Sequence, residues 1–281
     1  MGDNWKDLGR LRRLYARMDL NWLLQDWTSA VIVVLSETLS ALASLSGVLL
    51  LAIRFGGVGG LRADEALFML GFYQLADGLG WMLFGNYNVI HISRRIARGQ
   101  LDHMLIQPRP LWVQLLTEGF MPFSGSYGLV MGLILTGIAV ARLGIALTPA
   151  WLATLTFYIL THMALRLSLS ALYGAAAFWR PVACEEITTM IIDLCNQLGK
   201  FPLFGLPGWL SMLLHTVAPI GLLAWFPALA LLGRLDARTA FALPAAVAAS
   251  FAVAAAFCFR KGLKHYEIYS CNRYKEMGFR N

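Results

Sequence analysis

Five ionisable side chains fall inside long apolar runs, where a charge is expensive: Glu37, Asp77, His162, Arg166 and Asp193. A charged group at the centre of a membrane span costs about 2.5–3.5 kcal/mol on insertion scales, so such groups face the interior of a helix bundle and pair. Arg166 is the one cation among them, with His162 one helical turn before it. Two kinds of chemistry are open to the set. Arg166 forms an ion pair with Glu37 or Asp77 that locks helix packing, or one or more of the carboxylates line a translocation path and attract cationic cargo.

A second group is the basic segment HISRRIARGQLDHMLIQPRP, residues 91–110, which sits between two apolar runs. Written as a helix, Val89, Ile92 and Ile96 share a face, with Arg94, Arg95 and Arg98 elsewhere. Gly99 can end that helix, and Leu101, Met104 and Leu105 restart an apolar stripe beside Asp102. A short amphipathic element of this kind seats in a groove of a soluble partner or lies against lipid headgroups. A third group is Ser36, Ser40 and Ser44, small residues every four positions. That spacing lets helices approach closely, either within one subunit or across a seam between subunits.

Enzyme chemistry fails on inspection. The chain has no H-E-x-x-H. SGSYG at 124–128 has Ser124 where a nucleophile elbow needs its leading glycine. The Gly-rich RFGGVGGLR lacks the G-K-[ST] that closes a phosphate loop, so ATP hydrolysis is expected on another chain. EEITTM at 185–190 lacks the arginine of a Glu-Glu intramembrane protease motif. Cys184, Cys195, Cys258 and Cys271 form no C-x-x-C pair and read as small buried side chains plus one free thiol in the tail. Neither metal nor cofactor is expected on this chain.

The elements that must position these residues are membrane spans. The chain is 58% hydrophobic and 14% charged over 281 residues, against roughly 25% charged in an ordinary soluble domain. Several apolar runs exceed the ~18 residues that mark a membrane helix. The expected fold class is therefore all-α and polytopic. Spans are expected at 28–53, 66–90, 119–141 and 150–179, with WRP at 179–181 ending the fourth. The last lies at 239–259. No cleavable signal is visible in residues 1–27. There Trp5, Leu8, Leu11, Tyr15, Met18 and Trp22 form an apolar stripe opposite Lys6, Arg10, Arg12, Arg13 and Arg17. Such a helix lies in the membrane interface or packs on a soluble partner.

Basic residues set the orientation. With the N-terminus and 91–118 both on the cytoplasmic side, sixteen Lys and Arg lie inside and six outside, as the positive-inside rule requires. The net charge of +7 is thus a topology signal, and no nucleic-acid partner is expected. The basic tail, 260–281, lies inside only if one of 182–204 and 207–233 crosses the bilayer. Either 182–204 is the fifth span and 207–233, broken by Pro219 and Pro227, is a re-entrant hairpin on the outer side, or 182–204 lies on the cytoplasmic face. The halves show no internal repeat, which weighs against a secondary carrier.

Three stretches together resemble the permease subunits of ABC-2-type transporters, the branch in which two six-span permeases work with a separate ATPase. They are ISRRIARGQLDHMLIQPRPLWVQL, KFPLFGLPGWLSMLLHTVAPIGLLAWFPALALLGR and GLKHYEIYS. The order and topology agree over nearly the whole chain, as one transmembrane domain. The resemblance implies that 182–204 is the fifth span and 207–233 the re-entrant hairpin, in a bacterial plasma membrane with both termini cytoplasmic. It further implies a cytoplasmic ABC ATPase dimer carrying ATP and Mg. Ile92, Arg94, Arg95, Ile96, Arg98, Leu101, Asp102 and Leu105 would then be the coupling element that receives its motion. A second permease, homologous or a copy of this chain, would meet the first and fifth spans, which places Ser36, Ser40 and Ser44 at the seam. Members of this branch are mostly regarded as exporters of amphiphilic or cationic compounds. ATP-driven import, and an ATP-independent carrier or channel, are the alternatives.

Overall fold

The computed structural model describes residues 2–85, 88–204, 206–216 and 218–269, with the side chains of 2–7, 88 and 90 left aside. The tail residues Cys271, Arg273, Lys275 and Arg280, and the side chains of Trp5 and Lys6, therefore lie outside the described residues. Those described are helical, linked by turns: α1 (Gly2–Gln25), α2 (Trp27–Arg54), α3 (Ala63–Phe84), α4 (Ile92–Ala97), α5 (Gln100–Leu105) and α6 (Leu111–Thr117) come first. Then follow α7 (Tyr127–Leu143), α8 (Pro149–Gly174), α9 (Pro181–Leu198), α10 (Gly208–Thr216), α11 (Trp225–Leu231) and α12 (Ala237–Tyr269).

Local chemistry sets the boundaries. Asp26 breaks α1 from α2 and caps the latter, accepting from the Ser29 amide at 3.2 Å. A cap of this type stabilises a helix by about 1 kcal/mol. Gly85, in the left-handed region at φ 54°, stops α3 at Phe84, six residues short of the expected end at 90. The third apolar helix starts at Tyr127 and not at 119, because 119–126 carries Gly119, Pro122 and Gly125 in successive turns. Asp19 of α1 accepts from the Phe123 and Ser124 amides at 2.8 and 3.2 Å and from the Ser124 hydroxyl. Those amides would otherwise lack partners. The fourth run ends its α-helix at Gly174 and continues as a 3₁₀ turn over Ala175–Phe178. Pro181 then opens α9 at a first-turn position, where its missing N–H costs nothing.

Among the described residues, four helices are long and apolar enough to cross a membrane: Trp27–Arg54, Ala63–Phe84, Pro149–Phe178 and Ala237–Tyr269. The bent pair Gly208–Thr216 and Ile220–Leu231, with 68° between its arms, makes a fifth if counted as one span. Helix α7 has 17 residues, and α9 has 18 but carries Glu185, Glu186, Asp193, Asn196 and Gln197. The chain is a multi-pass membrane protein.

Helix α3 is the axis of the bundle, with every residue from Glu65 to Ala76 buried. Lipid tails are as apolar as leucine, so dispersion and close approach, rather than escape from water, hold such helices together. The seam between α3 and α7 shows this. A Cβ on Gly132 would collide with the Leu75 backbone and one on Gly78 with the Gly128 backbone. One on Gly71 would lie 2.7 Å from the Thr136 nitrogen. Gly128 and Gly132 are a Gly-x-x-x-Gly pair, a signal legible in the sequence and missed there. At one end of the bundle Arg234, between α11 and α12, donates to buried Glu65 at 2.5 Å and to the Gly60 carbonyl at 2.9 Å.

At the opposite end a second, smaller core gathers Ile92, Ile96, Leu101, Leu115, Phe178, Cys184 and Tyr266. It exists because α12 does not stop where its apolar run ends near Phe259. The helix continues through Arg260, Lys261 and Lys264 to Tyr269, about 50 Å in all.

Candidate functional site

Two polar nodes stand out, one in each core. In the larger core, α3 supplies Asp77, α8 supplies His162 and Arg166, and α9 supplies Asn196. The Arg166 Nε lies 3.2 Å from Asp77 Oδ1, and His162 Nε2 lies 3.6 Å from the same oxygen. Arg166 also donates through Nη2 to Asn196 Oδ1 at 2.8 Å. The other ring nitrogen of His162, Nδ1, is 2.8 Å from the Leu223 carbonyl. A carbonyl only accepts, so Nδ1 carries a proton there. Pro227, four residues on, has no N–H to return to that carbonyl, which leaves it free for the histidine. His162 is fully buried and Arg166 nearly so, whereas the Asp77 side chain is 20% exposed. Tyr73 packs edge-on against the His162 ring. One buried cluster thus joins three helices and the bent hairpin.

Of the two carboxylates that sequence made candidates for Arg166, the structure selects Asp77. Glu37 lies elsewhere, half-buried on α2, and accepts from the Tyr127 hydroxyl at 3.2 Å. Asp193 is exposed on α9 and forms no ion pair among the described residues. Ser36, Ser40 and Ser44 are all exposed on the outer face of α2. Ser36 and Ser44 satisfy their own hydroxyls on the carbonyls of Val33 and Ala41, three residues back. Lys200, just past α9, donates to Ser44 at 2.9 Å and so holds the end of α9 beside α2.

The second node is the basic segment. Gly99, at φ 67°, separates α4 from α5, a conformation that favours glycine. The apolar residues face inward: Ile92, Ile96 and Leu101 are buried in this chain's own second core, with Leu105 packed against it. The polar residues divide among three helices. Arg94 pairs with Glu185 of α9 at 2.5 Å, and Ser93 donates to the same carboxylate. Arg95, only 5% exposed, pairs at 2.7 Å with Glu118, which follows α6. The Tyr266 hydroxyl of α12 donates to Asp102 at 2.8 Å. Burial lowers the Arg95 guanidinium from its ordinary pKa, with Glu118 opposing. Burial, reinforced by Arg94, also lowers His91. Arg98 is exposed, and so is Ile106, with 79% of its surface open.

Sequence reasoning found the segment and its glycine break. It missed Glu185, Glu118 and Tyr266 as partners, and Ile106 as the apolar residue left outside. The Gly-x-Leu-Asp and Gly-Leu-x-x-Tyr stretches, 164 positions apart at Asp102 and Tyr266, are one contact in space. Gly262 lets α12 come close to the same core, because a Cβ there would fall 2.5 Å from the Phe178 ring.

Neither the curated proteins nor the solved structures give a match to this chain. The model of the ABC-2 family transporter protein matches residues 38–270, which takes in both nodes and every helix from α3 to α12. The chain belongs to the ABC-2 family of transporter proteins, as a membrane component of an ABC transporter.

Proposed function

We propose that this chain is one permease half of an ATP-driven exporter of amphiphilic or cationic small molecules, worked by a separate pair of cytoplasmic ATPases. In this reading α2, α3, α7, α8, α9 and α12 cross the bilayer, the α10–α11 hairpin dips in from the outside, and α1 lies in the inner interface. Both termini are cytoplasmic in a bacterial plasma membrane. The polar residues of α9 are compatible with a span, since Asn196 is the partner of Arg166. The apolar residues Ile187, Met190 and Leu194 leave its outer face open. That face and the serine side of α2 are where a second permease, homologous or identical, would sit.

The observation that carries the reading is the wiring of residues 92–102. The segment is tied to α9 by Arg94, to the end of α6 by Arg95 and to α12 by Asp102. Ile92, Ile96, Leu101 and Leu105 seat it in the same core. A push on its exposed side, at Arg98 and Ile106, would therefore reach several spans together. An ATPase that binds the two arrangements of the segment unequally shifts their populations. Asp77–Arg166 acts as the packing lock in this scheme. Glu37, which among the described residues meets a neutral tyrosine hydroxyl and no cation, is the carboxylate that meets cationic cargo.

The test is a pull-down with the candidate ATPase, followed by substrate-stimulated ATP hydrolysis over a compound panel. Arg98→Glu is expected to release the ATPase from an otherwise stable permease. Uptake or efflux by the chain alone in vesicles without nucleotide would overturn the reading.

A further inference from the structure

A groove of about 530 Å³ opens on the surface between α6, α8 and α12. Its floor is one stripe of α12: Ala252, Ala255, Ala256, Phe259, Arg260 and Leu263. Those positions recur at helical spacing, so they form one continuous face. Alanine at three of them leaves a trough where larger side chains would fill the helix surface. Trp112 and Leu115 of α6 wall one side and Leu167 of α8 the other. Apart from Ser168 and Arg260, every side chain lining the groove is apolar or aromatic.

Dimensions and charge both point to an occupant. From Ala252 to Leu263 the stripe runs roughly 16 Å along the helix, about half of the ~30 Å hydrocarbon core. That is the depth of one leaflet. The charge lies at one end only. Arg260 is exposed and has no carboxylate partner among the described residues, and exposed Lys264 follows one turn later on the same stripe. Glu267, the next acidic residue on that stripe, is about 10 Å beyond Arg260. A trough one leaflet deep with cations at its mouth is complementary to an acyl chain carrying an anionic headgroup. A neutral apolar ligand would leave Arg260 uncompensated, and a soluble anion would leave the trough empty.

We propose that this groove binds one anionic phospholipid of the inner leaflet, its phosphate at Arg260 and Lys264 and one acyl chain along the alanine stripe. The lipid headgroup would lie against α12 beside Gly262, about one turn before Tyr266, and so would brace the contact with Asp102. The leaflet assignment rests on the orientation proposed above; the binding itself does not.

The full-length chain, purified and placed in phosphatidylcholine nanodiscs with or without phosphatidylglycerol, tests this by thermal unfolding and by native mass spectrometry of retained lipid. Phosphatidylglycerol is expected to be retained with about a thirtyfold preference over phosphatidylcholine, since two basic residues near a membrane surface contribute on the order of 1 kcal/mol each to anionic-lipid binding. It should also raise the unfolding midpoint by several degrees. The exposed substitutions Arg260→Gln and Lys264→Gln should abolish the preference without unfolding the chain. Ala256→Phe should expel the lipid even with both cations present. Equal retention of the two lipids, a preference that survives Arg260→Gln with Lys264→Gln, or a cross-linked dimer through Ala256→Cys would overturn the proposal. Neither readout requires nucleotide or an ATPase, so a chain that failed as a permease half would still report on the lipid.

Discussion

The buried node at Asp77 and the basic segment at 92–102 are made from the same chemistry, arginines facing carboxylates, and are built in opposite ways. At Asp77 every polar group converges. One carboxylate faces both Arg166 and His162, Arg166 reaches on to Asn196, and the cluster is closed off by α3, α8, α9 and the Leu223 carbonyl. At 92–102 the polar groups diverge: Arg94, Arg95 and Asp102 each leave for a different helix. A converging cluster in a low-dielectric interior resists change, because removing Asp77 or Arg166 strands the charge of the other. A diverging set at the edge of the bundle distributes displacement instead. Stability should therefore depend on the first and coupling on the second.

Substitutions at the converging node should have the largest effect. Arg166→Ala leaves Asp77 without its cation and should cost about 3–5 kcal/mol, seen as lost expression or a collapsed unfolding midpoint in detergent. Adding Asp77→Asn to that variant should recover much of the loss. A stable Arg166→Ala chain with altered transport would mean a path residue instead of a lock. Next comes the seam that positions Asp77. Gly132→Ala forces a methyl into the Leu75 backbone and should cost about 1–3 kcal/mol by overpacking, readable in the same melt.

The diverging node should respond differently. Tyr266→Phe removes the hydrogen bond to the partly exposed Asp102 carboxylate, worth about 1.5 kcal/mol at the low end for a charged acceptor, so the melt should move less than for Arg166→Ala while cargo-stimulated ATP hydrolysis in the assembled complex falls sharply. Equal losses in both measurements would erase the contrast between the nodes. Smaller still is the acid response of His91. Its pKa is lowered in the folded chain, so the unfolded chain binds more protons as pH falls below the ordinary histidine value of about 6.5, and stability declines with it. His91→Gln should flatten that part of the stability–pH curve.

Much of this was legible in the sequence, and the reasons are local. Apolar run lengths mark the membrane helices because a bilayer admits few other structures. Gly99 breaks the basic segment because only glycine takes its conformation easily. The spacing of Ile92, Ile96, Leu101 and Leu105 identifies an apolar face. It does not say whether that face meets a partner or the chain's own core, because periodicity records a side and not its neighbour. The helix boundaries that differ, at Phe84, Tyr127 and Tyr269, do so where a left-handed glycine, a clamp from Asp19 and packing on a second core override run length.

By itself, then, the sequence determined a basic, multi-pass helical chain with intramembrane charges that had to pair and a punctuated amphipathic segment. Those properties follow from transfer energies and backbone preferences that act within a few residues. Only the tertiary structure decided that Arg166 pairs with Asp77 and not Glu37, that Arg94 meets Glu185 at 91 positions' distance, and that Asp102 meets Tyr266 across 164. Each such choice depends on which helices lie side by side. That is a property of the packed bundle, which no local pattern encodes.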